Sequence, residues 1–170
     1  MKREAFIAAV QESEKTMYHV AMSILKNDSD CADAVQQALM VAFEKLHTLK
    51  QERFFKTWLI RILINECYRI QRYQKKHMPY EECIMASKEW HQDNYTDLYL
   101  AIMELPEKLR VLVTLYYLDG YSVKETAAIM EMNEGTVKSR LSKARQMLKL
   151  QLDGAEPVLC QKNGEEKVLC

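Results

Sequence analysis

The chain has 170 residues, 48% of them hydrophobic, and 24 lysines and arginines face 24 aspartates and glutamates. That is enough apolar material for one ordinary domain or two small ones. A formal net charge of zero excludes a uniformly basic nucleic-acid coat, so any DNA affinity has to come from local clusters.

Only four glycines and three prolines, with abundant Ala, Leu, Met, Lys and Glu, predict an almost wholly helical chain without strands. Residues 4–26 have a helical pattern, with a break expected near Gln11 to Glu14. Phe6, Ile7 and Val10 form one apolar patch, and Met17, Tyr18, Val20, Ala21, Ile24 and Leu25 form another. No signal segment is visible behind Lys2, Arg3 and Glu4, and no apolar run approaches a membrane span, so a cytoplasmic protein without membrane insertion is expected. The run Asn27-Asp28-Ser29-Asp30 offers several helix caps. Behind it, residues 32–46 are amphipathic, with Val35, Leu39, Ala42, Phe43 and Leu46 inward and Asp33, Gln36, Gln37 and Met40 on the other face. Residues 54–74 form a third helix in which Phe55, Trp58, Leu59, Ile62, Leu63 and Ile70 alternate with Lys56, Arg61, Asn65, Arg69 and Arg72. Aromatics among cations can stack on unpaired bases while holding phosphate, although Trp58 and the leucines serve equally well as core.

Periodicity then fails. Residues 76–95 contain Pro79 and the acidic pair Glu81-Glu82 and read as an acidic linker. The second domain opens with a short helix over 96–104, which Leu105-Pro106 interrupts. Pro106 begins the next helix where its missing N–H costs least, and Asp119-Gly120 ends it. Ser122 with Glu125 forms a capping-box signature before a helix over 123–130, where Ala127 and Ala128 leave room for a close helix crossing. Asn133 caps the helix after that, and Val137, Leu141, Ala144 and Leu148 make its buried stripe. The turn between these helices lacks glycine, and Glu131 falls where a left-handed residue is wanted, at a cost of about 1 kcal/mol. Residues 153–170 carry no pattern and are expected to form a disordered tail.

The outer face of the last helix carries Lys138, Ser139, Arg140, Ser142, Lys143, Arg145 and Lys149. A helix presented by a helix-turn-helix enters the major groove, its cations on phosphate and its short polar groups near base edges. A solvated basic face is the plain alternative, and the short capped helix and brief turn ahead of it favour DNA. Five cysteines, Cys31, Cys67, Cys83, Cys160 and Cys170, are scattered without a CxxC pair or matching histidines, which predicts free thiols and no metal site. There is no Gly-rich phosphate loop and no nucleophile elbow, so neither an enzyme nor a cofactor is expected.

Three blocks, YHVAMSILKNDSDCADAVQQALMVAFEKL, FKTWLIRILINECYRIQRY and LPEKLRVLVTLYYLDGYSVKETAAIMEMNEGTVKSRLSKARQML, resemble in order and spacing regions two and four of extracytoplasmic-function (ECF) sigma factors of the bacterial sigma-70 family. The resemblance covers about residues 6–150. It implies an all-α protein of two small helical domains, a region 2-like three-helix bundle over 4–75 and a region 4-like four-helix domain over 96–152, acting as a dissociable promoter-specificity subunit of RNA polymerase. On that resemblance Asp33, Gln36 and Gln37 bind core RNA polymerase, and the family commonly has an acid where this chain has Gln37. Trp58, Arg61, Asn65 and Arg69 would open and read the minus-10 element. Lys138, Ser139, Ser142 and Lys143 would face the minus-35 groove, with Arg140 and Arg145 on phosphate or the polymerase flap. The partners implied are core RNA polymerase, promoter DNA and an anti-sigma factor, which in this group is often membrane-anchored. The alternative is a stand-alone helix-turn-helix transcriptional regulator that binds its site as a symmetric dimer.

Overall fold

The computed structural model describes residues 3–77 and 97–153, together with the backbone of 159–161 and 167–169. The first domain is a bundle of three helices, α1 (Arg3–Leu25), α2 (Asp28–Glu44) and α3 (Phe55–His77), with two 3-10 turns, Leu46–Thr48 and Glu52–Phe54, between α2 and α3. Helix α1 runs unbroken through Gln11 to Glu14, against the break expected there. Ser13 turns inward, and its hydroxyl donates to the Ala9 carbonyl at 2.7 Å, so a polar residue in the buried face is satisfied by its own helix. Asn27 caps α2 by accepting from the Asp30 amide at 2.9 Å.

The buried stripe of α2 also differs from the expectation. Cys31, Ala34, Ala38 and Ala42 face the core, Val35 and Leu39 are half-buried, and Phe43 is exposed, with one ring edge against Phe6 at a centroid distance of 5.7 Å. Small side chains let α2 lie close to α1 and α3, and the bulkier residues are left to the flanks. The core is completed by Met17, Val20, Phe55, Leu59, Ile60 and Leu63, each large side chain contributing about 1.5–3 kcal/mol by leaving water.

Helix α3 continues through His77, two residues into the stretch expected as linker, and residues 78–95 of that stretch lie outside the described residues. The second domain comprises α4 (Asp97–Glu104), α5 (Glu107–Val113), α6 (Val123–Ile129) and α7 (Glu134–Leu152). Pro106 is the N-cap of α5 and not its first helical residue. Behind α5 the backbone widens into a π turn over Thr114–Leu118 and stops at Gly120, whose φ of 72° suits glycine. The capping box at Ser122 and Glu125 is formed, and hydrogen bonds from Ser122 hold the Glu125 carboxyl below its ordinary range. Asn133 accepts from the Thr136 amide at 2.7 Å. Val137, Leu141 and Ala144 are buried, as their spacing predicts, whereas Leu148, the fourth residue of that expected stripe, is only half-buried. Of the two alanines on α6 only Ala127 is buried and Ala128 faces outward.

Both domains are all-α, and no described helix is long and apolar enough to cross a membrane. In the tail, which was expected to be patternless, Leu159–Gln161 and Lys167–Leu169 form a short antiparallel ladder with Cys160 opposite Val168.

The two domains touch. Arg110, 5% exposed, donates from Nε to the Ser23 carbonyl of α1, and from Nη1 to the carbonyls of Met103 at 2.9 Å and Leu105 at 2.8 Å. A guanidinium thus neutralises carbonyls left unpaired near the C-terminal ends of α1 and α4. Asp119, at the end of the π turn, accepts from Thr16 at 3.2 Å and lies 3.0 Å from His19 Nδ1 on α1.

Candidate nucleic-acid interface

Helix α3 presents the first candidate surface. Each residue advances about 100° around a helix, so Trp58, Arg61, Asn65 and Arg69 lie within about 80° of one another, opposite the buried Leu59, Ile60, Leu63, Ile64 and Cys67. Arg61, Asn65 and Arg69 are exposed. Trp58 is half-buried, its ring 6.0 Å from that of Phe55, so it has an apolar anchor and an accessible edge. The stripe is not a bare row of cations. Arg61 pairs with Glu131 of the second domain, and Arg69 donates to Glu66 at 2.6 Å.

Arg69 also borders a second surface. Asp33, Gln36 and Gln37 of α2 meet Arg69, Ile70, Tyr73 and Gln74 of α3 across an open groove of about 580 Å³, with Met40 and Asp30 completing the rim. The three residues expected to bind polymerase are therefore together, on one wall. On the opposite wall Arg69 is expected only at the minus-10 element, and Tyr73 and Gln74 carry no sequence expectation. Tyr73 and Met40 are 65% and 59% exposed, large apolar groups of the kind that anchor protein interfaces. Met40 shares a face with Asp33 and Gln37 by helical spacing alone, whereas Tyr73 comes to the groove only through the packing of α3 on α2.

Helix α7 carries the third surface. Lys138, Ser139, Ser142 and Lys143 occupy the half of the helix away from Val137, Leu141 and Ala144, with Ser142 and Lys143 partly shielded, while Arg145 is exposed on one flank, about 40° around the helix from Leu141. The hydroxyl of Ser139 donates to the Thr136 carbonyl at 3.0 Å. Arg140 lies on the other flank, its Nη1 3.9 Å from Met132 Sδ. Among the described residues no carboxylate forms an ion pair with Lys138, Lys143 or Arg145. The turn ahead of α7 holds Glu131 at φ 51°, the left-handed conformation expected there.

No cluster of metal-ligating side chains occurs among the described residues. Burial pushes the Cys31 thiol up to about 12 and raises that of Cys67 as well, so both are inert core groups.

A two-domain helical protein with an aromatic-cationic stripe, an open groove between α2 and α3 and a basic helix-turn-helix has the makings of a transcription initiation subunit. Residues 9–77 match the family description "Sigma-70 region 2" and residues 95–148 match "Sigma-70, region 4". The chain is 29% identical over 149 residues to the RNA polymerase sigma factor SigV of Bacillus subtilis, covering 86% of this chain and 90% of that one. It is 31% identical over 141 residues to the ECF RNA polymerase sigma-E factor of Escherichia coli K12, covering 70% and 72%. The fold is similar to that of the sigma factor RpoE of Bartonella quintana, solved with its anti-sigma factor NepR, at a TM-score of 0.74 and 27% identity over 87% of this chain and 96% of that one. The chain belongs to the ECF group of sigma-70-type RNA polymerase sigma factors. Its function is that of the group, directing RNA polymerase to promoters and initiating transcription there.

Proposed function

We propose a division of this task among the three surfaces. The α2–α3 groove, through Asp33, Gln36 and Gln37, grips core RNA polymerase, with Met40 and Tyr73 supplying apolar anchorage. The α3 stripe captures the opened minus-10 strand. Arg61 and Arg69 hold phosphate, Asn65 reaches a base, and Trp58 offers a stacking edge, so binding of unstacked bases offsets the few kcal/mol needed to unpair them. The outer half of α7 reads the minus-35 duplex. Lys138, Ser139, Ser142 and Lys143 face the groove, and Arg140 and Arg145 sit toward phosphate or the polymerase flap.

The observation that carries this reading is the coexistence in one chain of the Asp33-Gln36-Gln37 groove and the α3 stripe with the helix-turn-helix. A regulator that binds DNA alone has no use for the first two. The protein acts by binding and not by catalysis, in the cytoplasm where polymerase and promoter DNA are, and an anti-sigma factor is its natural restraint. That last partner is supported by the anti-sigma complex of the Bartonella relative.

The test is run-off transcription with purified core polymerase on a library of upstream DNA, with and without the protein. Discrete start sites that appear only when it is present are the expected result. No gain by polymerase, combined with a specific duplex shift by the protein alone as a dimer, would favour the stand-alone regulator.

A further inference from the structure

Helix α7 begins on a carboxylate that the division above leaves unused. Glu134 is its first residue and its only acid. The side chain is exposed, and among the described residues it makes no hydrogen bond or ion pair. Its polar neighbours at the helix end are already engaged. The side-chain oxygen of Asn133 accepts from the Thr136 amide at 2.7 Å, and the Ser139 hydroxyl donates to the Thr136 carbonyl at 3.0 Å. Gly135 stands beside Glu134 without a side chain, and the space that a Cβ would take meets nothing nearer than Asn133 Oδ1, at 3.4 Å. The end of the helix can therefore come close to another molecule.

Geometry aims this carboxylate forward. Side chains on a helix tilt toward its N-terminus, so the first of them projects past the helix end, and that is the end a recognition helix puts into the major groove. Lys138 follows four residues later, about 40° around the helix and ~6 Å along its axis, a span of about two base-pair steps.

We propose that Glu134 is a specificity residue of the minus-35 contact, accepting a hydrogen bond from the N4 amino group of a cytosine within about two base pairs of the Lys138 contact. This rests on the reading of α7 given above. In the major groove cytosine presents that donor, whereas guanine and thymine present O6, N7 and O4 acceptors that repel a carboxylate. Adenine sets its N6 donor beside the N7 acceptor, a pair that an amide satisfies and a carboxylate does not. The acid selects a base while weakening the general attraction to phosphate. A solvated Glu134 would do only the second.

The test uses holoenzyme assembled from core polymerase and the full chain, on a promoter recovered by run-off transcription, with its minus-35 element randomised and its minus-10 element kept. Wild type is expected to enrich cytosine at one position. Glu134→Ala should lose that preference about tenfold, in the range for one base-reading side chain, with base choice elsewhere unchanged. Glu134→Gln should move the preference at that position from cytosine to adenine. Gel filtration and circular dichroism verify that both variants bind core polymerase and keep their helices. A wild-type element without a selected cytosine, unchanged base choice in Glu134→Ala, or a uniform rise in output on all sequences overturns the proposal while leaving α7 as the minus-35 reader. No base preference in wild type, together with no effect of Lys138→Ala/Lys143→Ala, would overturn the reading of α7 as well.

Discussion

Helices α3 and α7 both turn cations to the outside, but they keep different company. On α7, Lys138, Lys143 and Arg145 form no ion pair among the described residues, whereas on α3 Arg61 pairs with Glu131 and Arg69 with Glu66. A bare, convex basic face suits duplex DNA, whose phosphates sit at fixed spacing and release counterions when contacted. A stripe that mixes Trp58 and Asn65 with internally paired arginines suits a ligand that brings bases as well as phosphates. Binding by α7 should therefore be mostly electrostatic, and binding by α3 should need an unstacked strand.

The comparison breaks most sharply at α7. Lys138→Glu/Lys143→Glu is expected to lower run-off from minus-35-dependent promoters about a hundredfold, tenfold for each ~1.4 kcal/mol, with core binding measured by gel filtration unchanged. Equal loss of core binding would remove both lysines from the groove role. A single Lys143→Ala should weaken duplex binding with little regard to sequence and lower the salt slope by about one.

At α3 the expected effect is smaller and of another kind. Trp58→Ala should slow promoter opening about tenfold, in line with ~1–3 kcal/mol for a stacked base, and permanganate reactivity of the minus-10 thymines measures it. A premelted template should restore most of the loss, because unpairing is then already done. If it does not, Trp58 serves only as packing against Phe55. Trp58→Phe keeps the packing and should show the smaller opening defect. For the groove, Asp33→Ala/Gln36→Ala is expected to reduce holoenzyme formation several-fold while leaving the helices and the single-strand affinity as they are.

Much of this was legible in the sequence, and the parts that were not share a cause. The caps at Asn27, Ser122 and Asn133, the stop at Gly120 and the left-handed Glu131 are local, fixed by a residue and its neighbours within four positions. The stripe of α7 is nearly local too, because Val137, Leu141 and Ala144 follow helical spacing. What failed needed a partner. The stripe of α2 was read from its largest apolar residues, yet three closely packed helices select Ala34, Ala38 and Ala42 for the interior and leave Phe43 at the edge. Helix α1 was expected to break at a polar run that Ser13 in fact satisfies by bonding back to Ala9. Tyr73 in the groove, Arg110 in the domain seam and the pairing of Arg61 with Glu131 join residues far apart in sequence, and no periodicity encodes them. Arg110 carries no local signal of its burial, because at 100° per residue it falls to the side of the face that Leu109 and Val113 share.

The smallest expected effect concerns that seam, and it has a definite sign. Burial raises the Asp119 carboxyl from its ordinary value of 3.8, against the hydrogen bond and charge of His19, the hydroxyl of Thr16 and the charge of Lys15. From its own segment Tyr121 also faces it, and the Tyr121 phenol, influenced in turn by Glu125, is pushed up to about 12 by burial. A raised acid binds its proton more tightly in the folded protein than in the unfolded chain. Its contribution to stability is therefore present below the ordinary carboxyl value and is lost as pH rises through the raised one. Wild type should consequently lose melting temperature relative to Asp119→Asn as pH is taken from about 4 to about 7, and the difference between the two should level off once Asp119 is fully ionised. An identical pH dependence in both proteins would mean that Asp119 keeps its water in solution, and with it that the two domains stand apart.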